Sequence, residues 1–225
     1  MATTILTFLI SSILQQALSD SFAPKIVGGK TAGNEFLYQV HITDGVSLYC
    51  SGSILSEYWI LTHAGCIAKN ETFYVVAGTV SANSRDGNYH EIAESFKHDS
   101  DNIALIKLKT SIELSNFVQA VNLPDVDEDG NLNCVFSSWG KQDFLQYINV
   151  TTLSNAECQE RLPYDLISDT LICTNNEEGC GACFGDFGGP LVTRGRIQIG
   201  LLKTIHGCTL GDPDIFIRIY KYVKW

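Results

Sequence analysis

Residues Cys183–Pro190 read CFGDFGGP. Gly185, Gly188 and Gly189 mark a tight turn of the kind that exposes a side chain or brings its backbone close to another group. A hydroxyl at the tip would be a nucleophile, but the residue there is Phe187, and a benzyl ring cannot attack a carbonyl. No serine or cysteine shares the tip. Two other groups bear on the same chemistry: His63, within Thr62-His63-Ala64-Gly65-Cys66, and Asp101, beside Asn102. A general base must come within about 3 Å of its nucleophile, so neither has a partner to activate. Cys180-Gly181-Ala182-Cys183 has redox-motif spacing, yet the βαβ setting of such motifs is missing, and a structural role is expected. The five histidines show no metal-ligand spacing, so neither metal nor cofactor is expected. Thr193–Arg196, TRGR, reads as a hairpin turn rather than a basic patch.

The elements that must carry these residues are mostly strands. Tyr38, Val40 and Ile42 alternate with Gln39, His41 and Thr43; Ile197, Ile199 and Leu201 alternate, as do Ile215, Ile217 and Ile219. Period two between turn signals predicts antiparallel sheets in sandwiches or barrels. Ser154-Asn155-Ala156-Glu157 is a capping box opening one short helix, and Ile219–Trp225 suggests another. The polar stretch Pro124–Asn131 predicts a surface loop after the crossover between two halves.

At 225 residues and 45% hydrophobic content the chain is globular. A net charge of −10 argues against nucleic-acid binding and fits a protein that meets other soluble proteins. Ile5–Leu14 is apolar but too short to span a bilayer, and Ala17-Leu18-Ser19 forms a small-x-small site. Residues 1–19 therefore read as a secretory signal peptide. Residues 20–25 follow as a propeptide, with Lys25 the point of a trypsin-like cut. No other segment suits a membrane. Eight cysteines behind a leader imply disulfides and an extracellular destination, although spacing alone leaves their connectivity open. Asn70-Glu71-Thr72 and Asn149-Val150-Thr151 are glycosylation sequons.

Seven motifs occur in order: IVGG at Ile26, CSGSIL at Cys50, WILTHAGC at Trp59, NIALIKL at Asn102, SSWG at Ser137, CFGDFGGP at Cys183 and YVKW at Tyr222. Together they resemble the trypsin/chymotrypsin-like serine proteases over nearly all of residues 26–225. The resemblance implies an all-β fold of two antiparallel six-stranded β-barrels with short helices, the N-terminal barrel over about 26–112 and the C-terminal one over about 113–225.

The same resemblance implies a serine, a histidine and an aspartate acting together. Their positions hold Phe187, Gly65 and Asn102, so no catalytic residue is carried over. His63 lies two residues before the base position, which places it on another face of the turn. The former substrate pocket maps to Gly181 at its base, Lys203, Thr204 and Ile205 along one wall, and Asp214 where the other wall has glycine. Ile205 is expected to close the entrance. Ile26 and Asp186 match the pair that forms when cleavage frees a new N-terminal amine. Implied bridges are Cys50–Cys66, Cys158–Cys173 and Cys183–Cys208. Cys134 matches a family cysteine whose usual partner position is Thr193, leaving Cys134–Cys180 as a candidate fourth bridge.

Loss of all three catalytic groups on a retained scaffold resembles the scabies mite inactivated protease paralogues, relatives of the mite group 3 allergens. That resemblance implies a secreted pseudoprotease that binds host proteins, complement components among them, and inhibits complement; a monomer is expected. Two alternatives are an active serine-type endopeptidase with a rearranged site and a decoy for protease inhibitors. The first predicts labelling by an active-site-directed probe, the second tight inhibitor binding through the old cleft.

Overall fold

The computed structural model describes residues 26–67, 73–83, 87–140, 142–208 and 210–225. The expected leader, the Lys25 cut site and the Asn70 sequon lie outside them. The described residues form two closed six-stranded antiparallel barrels. In the first, β2 (Gln39–Thr43), β3 (Leu48–Ser56), β4 (Trp59–His63), β5 (Tyr74–Ala77), β6 (Asn88–Lys97) and β7 (Ile103–Leu108) close in the order β2-β3-β4-β7-β6-β5. The second uses β8 (Asn133–Ser138), β9 (Gln146–Leu153), β10 (Leu171–Asn175), β11 (Pro190–Thr193), β12 (Ile197–Thr204) and β13 (Ile215–Arg218). It runs β9-β10-β13-β12-β11-β8 and closes through β8–β9 pairing. A two-residue β1 (Lys30–Thr31) adds to β9. Residues 26–31 therefore attach to the second barrel, not to the first as the sequence division had it.

The capping box forms as read. Ser154 accepts from the Glu157 amide while the Glu157 side chain returns to the Ser154 amide, opening α1 (Asn155–Arg161). The C-terminal segment makes a short 3-10 turn, Ile219–Tyr222.

Strand alternation in β2 has an unexpected outcome, because both of its faces are buried. Val40 and Ile42 fill the first barrel with Ile54, Ile60, Val75 and Ile106. Gln39 and His41 face the second barrel instead. The Ser137 hydroxyl donates to Gln39 Oε1 at 2.8 Å, and the His41 ring stands edge-on to Trp139 at 5.0 Å. Further cross-barrel bonds join Ser51 to Ser138 at 2.9 Å and Ser53 to Gln198 at 2.5 Å. Satisfied polar groups thus form the seam between two apolar cores. His41 is the exception. Neither of its ring nitrogens has a partner, and burial pushes its pKa down to about 4.

Three disulfides form as the resemblance implied: Cys50–Cys66, Cys158–Cys173 and Cys183–Cys208. The fourth does not, since Cys134 and Cys180 are both free. Cys134 sits in the second core and its thiol donates to the Leu132 carbonyl at 3.4 Å. Its register partner across the β8–β11 ladder is Thr193. Cys180 lies on another segment, with its sulfur packed over Gly28. The fold thus offers Cys134 a threonine where a bridge would need a second cysteine.

Directly opposed antiparallel residues lie about 4.5–5.5 Å apart at Cα, within the span a disulfide tolerates. Thr193→Cys should therefore close onto Cys134, raising stability by about 2–4 kcal/mol. Thiol titration of the unfolded chain should give two reactive cysteines before the change and one after it. In the native chain Cys134 should alkylate far more slowly than Cys180, because burial pushes its thiol up to about 12. Finding no free thiol in the unfolded, non-reduced chain would mean that a fourth bridge exists.

Candidate functional site

The cleft lies between the barrels, where the Cys183–Pro190 turn of the second approaches β3 and β4 of the first. The approach depends on glycine. Gly188 has φ +81°, and a Cβ there would fall 2.0 Å from the Ser51 carbonyl oxygen, so no side chain fits. The Ser51 amide donates to the Phe187 carbonyl at 3.0 Å, fixing the turn against the first barrel. Its tip side chain, Phe187, then packs on the first-barrel core. The ring therefore fills the crevice.

His63 lies against it. Expected on another face, its ring instead stands 5.3 Å from the Phe187 ring, tilted by 38°. His63 caps the 3-10 turn Ala64–Cys66, its Nδ1 accepting from the Gly65 amide at 3.0 Å. Its Nε2 is buried without a partner. Burial and then the charges of Lys203 and Lys97 hold its pKa below the ordinary value, so it is neutral near pH 7. With Nδ1 accepting from the Gly65 amide, the neutral imidazole carries its proton on Nε2, and the Phe187 ring lies against it.

Gly65 and His63 are coupled. A Cβ at Gly65 would lie 3.0 and 3.1 Å from His63 Nδ1 and Cε1, so any side chain there must displace the His63 ring. The sequence carried a signal of this, a bulky residue two places before a glycine on a tight turn, although that spacing alone did not place the ring over Phe187.

Asn102 contributes backbone, its carbonyl accepting from the Ala64 amide at 2.9 Å, while its side chain is exposed. The neighbouring Asp101 turns elsewhere. Its carboxylate accepts from the Ser100 hydroxyl at 3.1 Å and lies 3.7 Å from His98 Nδ1. Gly65, Asn102 and Phe187 thus share the cleft, whereas Asp101 is turned to His98 and Ser100.

The former pocket is buried and polar at its base. Gly181 has φ +146°, and a Cβ there would meet Asn176 Nδ2 at 2.9 Å and Asp214 Oδ2 at 3.1 Å. Asp214 accepts from Asn176 Nδ2 and from the Ala182 amide, both at 2.7 Å. Burial nevertheless pushes its pKa up to about 6. Lys203 and Thr204 end β12. Ile205 packs against the second core, which includes Ala182 and Leu202, so its side chain sits beside the pocket wall.

Ile26 is buried in that same core, and Val27 exchanges two backbone bonds with Gly181 at 3.0 and 3.1 Å. Asp186 is wholly buried. Its Oδ2 accepts from the Cys183 amide at 2.7 Å, while its Oδ1 faces the Ser138 hydroxyl and the Gly140 amide without a formed hydrogen bond. Burial, only partly offset by these donors, pushes its pKa up to about 7. Asn149 is exposed on β9 opposite Val135, open to a glycan. Among the described residues no cluster of metal-ligating side chains occurs, and no helix is long and apolar enough to cross a membrane.

Two closed barrels with a glycine turn in the crevice between them define a trypsin-like serine protease fold. The comparisons with known proteins agree: the family model described as Trypsin matches residues 26–225, and the chain belongs to that family. It is 30% identical to trypsin I-P1 of Gallus gallus over 227 residues, 92% of this chain and 90% of that protein. It is 29% identical to trypsin II-P29 of the same species, with 97% and 95% covered. With serine protease 1 of Rattus norvegicus the identity is 28%, with 89% and 88% covered.

Proposed function

We propose that this chain is a non-catalytic member of the trypsin family, a pseudoprotease that works outside the cell by binding other proteins. The observation that carries this reading is the Phe187 ring, packed onto the first core and against His63 where the family presents its serine. Gly65 and Asn102 support it, since serine would still lack its base and that base its aspartate. Ile205 against the pocket wall argues for a closed groove and against a decoy that offers the groove to inhibitors. Three disulfides suit an oxidising compartment, in keeping with secretion.

The partner class comes from the resemblance to the scabies mite inactivated paralogues: host proteins, complement components first, inhibited without being cut. A chain with a net charge of −10 favours partners with basic patches. In a haemolytic complement assay the protein should reduce lysis, with no new cleavage fragments in the serum proteins, and added salt should weaken the effect. Undiminished lysis at concentrations well above those of the complement proteins would refute the complement target. Inhibition accompanied by new fragments would refute the non-catalytic reading.

A further inference from the structure

We infer that the face built by residues 160–166, 175–178, 184, 206–208 and 210–212 is a docking surface for a basic segment of a partner protein that carries an exposed apolar side chain. It deepens the proposed function by naming a face and the chemistry of its partner, and it rests on that reading only in taking the partner to be a protein.

The apolar part is unusually exposed. Tyr164 is 101% exposed, Leu166 87%, Leu210 67% and Phe184 64%. Single exposed apolar residues need no explanation, but these are drawn together. Asp165, between Tyr164 and Leu166, has its carboxylate 3.6 Å from His206 Nε2, and its carbonyl accepts from Gln159 at 2.7 Å. Arg161 donates to Asn175 Oδ1 and to the Gly211 carbonyl, both at 2.6 Å. Leu210 folds back to Gly207, and Cys183–Cys208 ties the turn carrying Phe184 to the same loop. The loops are thus braced by side-chain bonds and a disulfide. A tyrosine on a held loop presents much contact area while having only two side-chain torsions to order.

Charge selects the partner. Glu160, Asp165, Glu177, Glu178 and Asp212 lie on the same segments as these apolar residues, with Arg161 as the fixed cation, already committed to Asn175 and Gly211. Among the described residues no cation pairs with Glu160, Glu177, Glu178 or Asp212. A second copy carries the same charge of −10 and is repelled, as is an anionic membrane. A partner with lysines or arginines flanking an apolar anchor satisfies both parts of the face.

The probe is a fluorescein-labelled peptide of lysines around a central tryptophan and leucine, followed by anisotropy at low salt. Saturable binding is expected. Y164S/L166S/L210S and, separately, E177K/E178K should each weaken it about tenfold or more, roughly 1.4 kcal/mol. Replacing the lysines of the peptide by glutamates should abolish binding, and replacing its tryptophan and leucine by serines should weaken it about tenfold. Reversal of two exposed acids away from this face, E94K on β6 and E113K beyond β7, should change it little, and thermal melts verify folding of each variant. No binding by about 1 mM peptide, equal binding by wild type and the face variants, or an equal loss in E94K/E113K would overturn the proposal. So would binding to phosphatidylcholine/phosphatidylserine vesicles, or self-association in sedimentation, that the triple-serine variant loses, since these assign the face to a membrane or a second copy. The peptide readout involves neither complement nor proteolysis. Failure here leaves the proposed function intact, and uninhibited haemolysis beside normal peptide binding would refute only the complement target.

Discussion

The chain starting at Ile26 is expected to cleave peptide and ester substrates no faster than buffer, and restoring the serine alone is expected to change nothing. Triad members act as a unit, and their removal costs on the order of 10⁶ in turnover. Phe187→Ser would remove a ring that packs on the first core and leave a hydroxyl beside a neutral His63 whose Nδ1 is engaged by the Gly65 amide. The change to Phe187→Ser with Gly65→His and Asn102→Asp should still give poor activity, for two physical reasons. A side chain at Gly65 meets the His63 ring at 3.0 Å, so the new imidazole cannot settle until His63 moves. Ile205, packed on the core that includes Ala182 and Leu202, is expected with Lys203 still to obstruct substrate. Adding His63→Ala should improve the triple change, and adding Ile205→Gly should improve it further through KM. Initial rates on a peptide ester, with a serine-directed probe to count sites, check each step. A robust gain from the triple change alone would refute the blocked groove while leaving the lost triad standing. Turnover by the unmodified chain that a single substitution in it abolishes would reveal a working site elsewhere.

Much of this geometry was readable in the sequence because the fold is written in short, position-bound signals. Gly188 is legible as glycine since the Ser51 carbonyl excludes any Cβ, and the Ser154–Glu157 box is legible because capping needs those types at that spacing. What was illegible depends on packing between segments distant in sequence. Nothing in β2 says that its polar face, Gln39 and His41, is covered by Ser137 and Trp139; alternation marks a face as polar without saying whether water or another barrel meets it. His63 was misplaced for a related reason, since a count of two residues along a turn takes no account of the ring from the other barrel that waits there. Cys134–Cys180 failed because pairing by elimination assumes that every thiol is bridged, whereas the register sets Cys134 opposite Thr193. The division at residue 26 ignored that Val27 and Lys30 bond to the second barrel.

Cutting the chain after Lys25 is expected to raise its melting temperature, by an amount that grows with pH. In the uncut chain Asp186 is a buried acid whose pKa stands at about 7, well above the ordinary carboxylate value, and one of its oxygens has no formed hydrogen bond. The folded state then holds a proton that the unfolded state releases at much lower pH. Stability from this group is fully present below the unfolded pKa and is lost as pH rises through about 7. An amine freed at Ile26, whose side chain is already buried in the second core, supplies the missing charge and stabilises the carboxylate, so the loss disappears in the cut chain. Removing one partner of a buried pair costs about 3–5 kcal/mol, and a domain of this size shifts by about 2–4 °C per kcal/mol, so the cut form should melt on the order of 10 °C higher at pH 7.5. The gain should shrink toward pH 5, where Asp186 takes up its proton in the uncut chain and pairing has less to restore. His41, held down to about 4, acts with the opposite sign: it lowers the stability of both forms as pH falls below its unfolded value near 6.5. Since His41 is common to both forms, the difference between their melting temperatures removes its contribution and isolates Asp186. Asp186→Asn should abolish that difference at every pH. A difference that survives the substitution would place the stabilisation elsewhere, and equal melting of the cut and uncut wild-type chains at pH 7.5 would mean that the pair does not form.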